Sequence, residues 1–126
     1  MKKFFLISIL LLAGYAGITQ VVSDKIIQAF ESGDAKELAT YFHNNLEMKI
    51  LNKEQVASKN QATRIIQEFF KEYPPVSFKI NYEGTQQDSK YGLGTLETGK
   101  GSFRINLYFM EGRTEKIIYY LSIEKI

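Results

Sequence analysis

The sequence predicts an α+β domain with its helices first and an antiparallel sheet last, on three observations. Apolar residues recur at helical spacing in two short stretches before residue 44 and in a longer one from 59 to 73. From Val76 onward the period falls to two and stays there. The chain has 126 residues, 44% apolar, 24% charged and 13% aromatic, which allows one domain and excludes a disordered, collagenous or polytopic membrane protein.

The first segment stands outside that fold. Lys2 and Lys3 precede an apolar run from Phe4 to Ala13 that ends in the small residues of Ala13-Gly14-Tyr15-Ala16, the order of a secretory signal peptide. The weakly polar run stops near Ile18, short of the roughly 20 residues a membrane-spanning helix needs. Residues 1–20 therefore read as a leader rather than a retained anchor, cut after Ala16 or as late as Gln20. A domain of residues 21–126 is then exported to the periplasm or the extracellular medium, touching the membrane only during export. With no cysteine in the chain, lipid attachment at a processed N-terminal cysteine is impossible. Loss of Lys2 and Lys3 leaves 14 acidic residues balanced by as many basic ones. A neutral domain lacks the electrostatic excess that draws a protein to nucleic acid or anionic lipid, and neither is expected as a partner.

Each element has a local cause. Val22, Ile26, Ile27 and Phe30 share a helix face over 22–32, Ser23 or Asp24 can cap its start, and Gly33 is placed to end it in the left-handed conformation. Asp34 to Glu37 resembles a capping box, and Leu38, Tyr41 and Phe42 continue a second short helix over 35–43. Leu46, Met48 and Ile50 alternate with Glu47 and Lys49, as in a half-buried strand. Ser58 to Gln61 spells a second capping box, and Ala62, Ile65, Ile66, Phe69, Phe70 and Tyr73 stripe a helix over 59–73. Its two Ile and two Phe side chains would each contribute roughly 1.5–3 kcal/mol on burial, which makes this helix the expected centre of the core. Pro74-Pro75 stops it. Phe78, Ile80 and Tyr82 then face one way, followed by a polar loop from Thr85 to Lys90 and a strand marked by Tyr91, Leu93 and Leu96. Gly92 and Gly94 interrupt that strand, and the sheet is expected to curve there. Phe103, Ile105, Leu107 and Phe109 form the next core set, and Ile117, Tyr119, Leu121 and Ile123 the last.

The helix from Ser58-Lys59-Asn60-Gln61-Ala62 through Phe69-Phe70, the Pro-Pro that follows and the strand Tyr91-Gly92-Leu93-Gly94 resemble a small set of secreted Bacteroidetes proteins, domain-of-unknown-function family 4783. The order of elements resembles the wider nuclear-transport-factor-2-like, or cystatin-like cone, superfamily. The resemblance implies a curved antiparallel sheet wrapped around the one long helix, a pocket at the open end of the cone that can hold a small apolar ligand, and dimers formed through the sheet. It implies no activity, since that superfamily carries isomerases, dehydratases and non-enzymatic modules on one frame.

Candidate chemistry is sparse. Zero cysteines and a single histidine, His43, exclude thiolate nucleophiles, Cys-ligated zinc and any site needing two imidazoles. Gly94 to Lys100 spells G-x-x-x-x-G-K, but Gly101 stands where a phosphate-binding loop needs Ser or Thr, and Ser102 to Ile105 continues with strand period. The segment reads as a hairpin turn at Thr98 to Gly101. His43, at the end of the second helix, can act as a base or cap the last carbonyls, and capping is the simpler reading. A superfamily isomerase would set a carboxylate base against Tyr and protonated Asp donors inside the cone. Here Asp24, Asp34 and Asp88 fall at helix starts and in a loop, while Glu47, Glu83 and Glu97 fall between apolar positions and turn to water unless the register slips. No catalytic, cofactor-binding or metal residue and no cofactor is assigned. The chain reads as an exported, non-catalytic binding or assembly module of the bacterial envelope, with a small-molecule isomerase or dehydratase as the alternative. Tyr41, Tyr73, Tyr82, Tyr91, Tyr108, Tyr119 and Tyr120 serve packing or line a pocket. On the second face of the last two strands, Tyr108, Met110, Ile118 and Tyr120 are too apolar for plain water and are expected to form a homodimer interface. A three-residue turn with Gly112 at positive φ would place Tyr108 opposite Ile118.

Overall fold

The computed structural model describes residues 20–111 and 116–126, so the leader and the turn at Gly112 lie outside the described residues. Helix α1 (Asp24–Ser32) begins at Ser23, whose hydroxyl accepts from the Ile26 amide at 3.3 Å, and ends at Gly33 with φ 67°. Helix α2 (Ala35–Ala39) is capped by Asp34, whose carboxylate accepts from the Glu37 amide at 3.0 Å. It stops before the expected 43, because the chain enters strand β1 (Phe42–Ile50) as Phe42 pairs with Ile118. Strand β2 (Lys53–Ser58) follows a two-residue turn and leads directly into helix α3 (Lys59–Glu72). Both bonds of the Ser58–Gln61 capping box are made, at 3.2 and 3.1 Å. Strands β3 (Pro75–Gln86), β4 (Ser89–Thr98), β5 (Gly101–Glu111) and β6 (Lys116–Lys125) complete the chain. Among the described residues no helix is long and apolar enough to cross a membrane.

The sheet corrects the expected cone. Its order is β2-β1-β6-β5-β4-β3, and β1 runs parallel to β6 while every other pair is antiparallel, so it is mixed rather than antiparallel. It is neither closed nor strongly curled around the long helix: β2 and β3 are its two free edges. The apolar face is covered instead by helices placed at both ends. α3 packs on β1 and β2 and against α2, while α1 packs on β3. Three helices divide the task that one helix inside a wrapped sheet would have performed.

Two bulges decide which side chains face those helices. At Asn81 the register of β3 against β4 slips, so Ile80 pairs with Gly94 but Tyr82 with Leu93. Phe78 is buried as expected, whereas Tyr82 turns to the opposite face and is 67% exposed. The second bulge lies between Tyr108 and Phe109 on the β5–β6 pair, where Phe109 faces Ile118 while Tyr108 faces Tyr120. Ile118 is fully buried, so the core set of β6 is Ile118, Leu121 and Ile123, not Ile117 and Tyr119. The expected pairing of Tyr108 with Ile118 fails for this reason: an extra residue in the strand, rather than an odd-length turn, supplies the change of parity.

Gly92 and Gly94 are positions of close approach rather than of curvature. A Cβ at Gly92 would lie 2.4 Å from Cγ2 of Val22, and one at Gly94 would lie 2.7 Å from the Phe78 ring and 2.8 Å from the Lys79 carbonyl oxygen. Val22, just ahead of α1, therefore seats on bare β4 backbone, and the Phe78 ring crosses β4 at Gly94. Gly94→Ala should destabilise the domain by about 1–3 kcal/mol, since backbone as well as a ring must move. Gly99→Ala, with nothing within 4 Å of the added carbon, should change stability by less than about 0.5 kcal/mol. Urea denaturation of the two variants beside the wild type measures both, and equal midpoints would contradict the close-approach account.

Candidate functional site

The interior is structural. Phe30 of α1 stacks on Phe78 at 4.6 Å between centroids and meets Phe70 edge-on at 6.2 Å. Phe70 meets Phe69 at 6.0 Å, and Phe69 packs on Phe103 and Tyr73, each at 5.1 Å. These rings pack with Leu38, Leu46, Met48, Ile66, Leu96, Ile105 and Leu121 in the apolar core. Among the described residues the one polar side chain in the buried class is Ser122, at 1% exposure. It accepts from the Asn106 amide at 2.9 Å, and among the described residues no buried side-chain polar atom lacks a partner.

The residues weighed for acid–base chemistry are scattered. His43 lies on β1 rather than at a helix end, and its Nδ1 is engaged locally, accepting from the Asn45 amide at 3.1 Å. Asp24 opens α1, Asp34 caps α2, and Asp88 sits in the β3–β4 turn at φ 65°. Glu47 and Glu97 are exposed, as their strand positions require. For Glu83 the register has slipped two residues earlier, at Asn81. The Asn81 bulge sets it opposite Gly92, on the side of the sheet where Val22 docks, and its Oε1 accepts from the amides of Val21 and Val22 at 2.8 and 2.9 Å. This carboxylate secures the first residues of the domain. The G-x-x-x-x-G-K segment runs along β4 into a hairpin in which Thr98 pairs with Gly101, and the Thr98 hydroxyl donates to the Gly101 carbonyl at 2.7 Å. Among the described residues no three His, Cys, Asp or Glu side chains are grouped to hold a metal.

Side chains do converge on the face of the sheet that carries no helix. Strand register aligns Tyr91 with Tyr108 and Tyr108 with Tyr120 across β4, β5 and β6. Because the β6 bulge adds a residue, Tyr119 joins its neighbour on this face. The Tyr108 ring lies 6.4 Å from Tyr91, 6.2 Å from Tyr119 and 5.5 Å from Tyr120. Tyr108 is 37% exposed, Met110 is 36% exposed, and Val56 of β2 and Tyr82 of β3 are more exposed still. Of the expected interface residues, Tyr108, Met110 and Tyr120 are present here, whereas Ile118 is withdrawn into the core. A hollow of about 220 Å³ opens at one end of the row, lined by Gln86, Gln87, Ser89, Tyr91, Tyr108 and Tyr119. There the Ser89 hydroxyl and the Tyr119 phenol share a hydrogen bond of 3.0 Å. A second hollow, of about 350 Å³, lies beyond Tyr120 over Glu47, Lys49, Glu54 and Val56. Sequence reasoning passed over Gln86, Gln87 and Ser89 because the hairpin was expected to be a loose loop. The one available signal was the adjacent pair Tyr119-Tyr120, which strict alternation cannot place on one face.

Comparison with known proteins agrees with this architecture. The profile of a domain of unknown function, DUF4783, matches residues 23–124. No curated protein matches the chain. The crystal structure of a DUF4783 family protein from Bacteroides ovatus is 29% identical, with a TM-score of 0.80 over 86% of this chain and 98% of that one. Another, from Bacteroides uniformis, is 30% identical, with a TM-score of 0.78 over 83% and 97%. A domain of unknown function with a cystatin-like fold from Nostoc punctiforme, 11% identical, shares the fold alone, with a TM-score of 0.62 over 81% and 71%.

Proposed function

Because this chain belongs to the DUF4783 family, within the cystatin-like, nuclear-transport-factor-2-like superfamily, and a fold does not name an activity, we propose its function from its surfaces: an exported, non-catalytic binding and assembly module of the bacterial envelope that works through the helix-free face of its sheet. The observation that carries this reading is the contrast between the two faces. The helix-covered face is filled by Phe30, Phe69, Phe70, Phe78 and Phe103, and among the described residues the buried set contains no carboxylate to serve as a base. The other face carries a row of tyrosines with Met110 and Val56 where water alone would select charged and small polar side chains.

The occupant proposed for that face is a second copy of the chain. Six strands about 4.8 Å apart span about 24 Å, and ten residues of strand run about 33 Å, which gives roughly 800 Å², the area each partner contributes to a standard interface. Tyrosine suits such a surface, since its ring is buried at small entropic cost while the hydroxyl keeps a polar partner. The row across the centre, Tyr91–Tyr108–Tyr120, supplies the anchors, and Asn106, Lys49 and Glu124 supply polar groups beside it.

Light scattering of the mature protein should report a dimer, and Tyr108→Glu with Tyr120→Glu should return it to a folded monomer whose Tm, unlike that of the wild type, does not depend on protein concentration. A wild type that stays monomeric at high concentration would refute the homodimer and leave the face to another partner. Export has its own check. Mass spectrometry of the protein recovered from its native cell should find an N-terminus between Gly17 and Val21, and an intact Met1 in the membrane fraction would refute processing.

A further inference from the structure

The β3–β4 hairpin turns through Gln87 and Asp88 alone, since Gln86 pairs with Ser89, and both turn residues stand at positive φ, 49° and 65°. A two-residue hairpin turn with both residues in the left-handed region is the conformation that Asn-Gly adopts at least cost. A longer, unbranched side chain such as glutamine gains nothing there locally. Gln87 nevertheless occupies the first position, and it lines the 220 Å³ hollow with Tyr91, Tyr108 and Tyr119. A strained residue kept at the rim of a hollow points to a task for its side chain rather than for its backbone.

The chemistry of the lining narrows what that task can be. Three phenols, one hydroxyl and two primary amides meet there, and none of the six residues is a carboxylate, an ammonium or a guanidinium. An anion or an ammonium group would give up its hydration without a counter-charge, so ionic ligands are disfavoured. A wholly apolar ligand would strand the amides and hydroxyls without partners, at about the cost of a lost hydrogen bond for each. The ligand that satisfies both faces of the lining is a neutral ring with an apolar C–H face for the tyrosines and peripheral hydroxyls that both donate and accept. The Tyr91 and Tyr108 rings meet at 67°, giving a floor and a wall rather than a flat stack. Either atom of the Ser89–Tyr119 pair can be the donor, so this pair can reverse its polarity to suit an incoming hydroxyl. The volume suits one ring, being smaller than the pockets that enclose drug-sized ligands.

We propose that this hollow binds one ring of a neutral saccharide, packed on Tyr91 and Tyr108 and hydrogen-bonded by the amides of Gln86 and Gln87 and by the Ser89–Tyr119 pair. The site goes beyond the assembly reading and does not rest on it, but it shares Tyr91 and Tyr108 with the proposed dimer face, so sugar and second copy compete for those two rings, while Gln86, Gln87 and Ser89 belong to the hollow alone.

Amide NMR titration of the mature protein with neutral trisaccharides (maltotriose, cellotriose, xylotriose and mannotriose) tests it. At least one should give saturable shifts at residues 86–91 and 119 with a Kd of about 1 mM or tighter, and glucuronic acid should bind at least about tenfold more weakly than the neutral ligand. Tyr91→Ala and Gln87→Gly should each weaken binding at least about tenfold, while Gln87→Gly keeps or raises Tm because glycine accepts the left-handed turn. Tyr120→Glu, directed at the proposed dimer and outside the lining of the hollow, should keep the affinity if the protein is a monomer and tighten it if a dimer competes for Tyr91 and Tyr108, which separates failure of the dimer from failure of the site. Absence of saturation by all four sugars at about 10 mM, or equal affinity in the Gln87→Gly variant, would overturn the proposal.

Discussion

A continuous series of aromatic contacts begins where β4 has no side chain. The Phe78 ring lies across β4 at Gly94, at a distance that a methyl group there would forbid. Phe30 stacks on Phe78, Phe70 meets Phe30, Phe69 meets Phe70, and Phe103 closes the path back onto the sheet at β5. These contacts join β3, α1, α3 and β5, elements far apart in the chain. Edge-on aromatic pairs of this kind contribute about 0.5–1.5 kcal/mol each beyond their burial. The arrangement leaves a sheet that need not close on itself, because its apolar face is covered from both ends, by α3 over β1 and β2 and by α1 over β3.

With one face committed to the core, what remains for function is decided by two inserted residues. The Asn81 bulge sends Tyr82 to the open face and brings Glu83 round to hold the amides of Val21 and Val22. The bulge on β6 buries Ile118 and releases Tyr119 to stand beside Tyr120. One extra residue in a strand reverses the facing of everything beyond it on that side of the defect. The first bulge fastens the entry of the domain, and the second widens a line of tyrosines into a cluster with a hollow at its end.

The extent to which this was legible in the sequence follows from the range of the interactions. Helix limits set by local chemistry were readable: Ser23 and Gly33 bound α1, and the Ser58–Gln61 box starts α3. The family was readable too, from the same helix and the Tyr91-Gly92-Leu93-Gly94 strand. Strand β2 was missed because an edge strand with Ala57 as its one buried residue shows no apolar alternation. The end of α2 was missed because Tyr41 and Phe42 continue a helical stripe, whereas the pairing of Phe42 with Ile118 depends on a strand many residues away. Parallel pairing, bulges and the absence of strong curling arise from such distant contacts, and a period-two pattern contains none of them. For the candidate site, Tyr108, Met110 and Tyr120 were found by alternation, and Tyr119, Ser89 and Gln87 were hidden by the defects that bring them together.

If the aromatic interior is structural and the open face is the working surface, an apolar molecule has no saturable place among the core methyl groups. Methyl NMR of the mature protein titrated with decanoate tests this most directly. The resonances of Ile66, Leu96, Ile105 and Leu121 should stay where they are throughout the titration, with any shifts confined to residues around Tyr91, Tyr108 and Tyr120. A saturable one-to-one shift of those four interior methyls would contradict it.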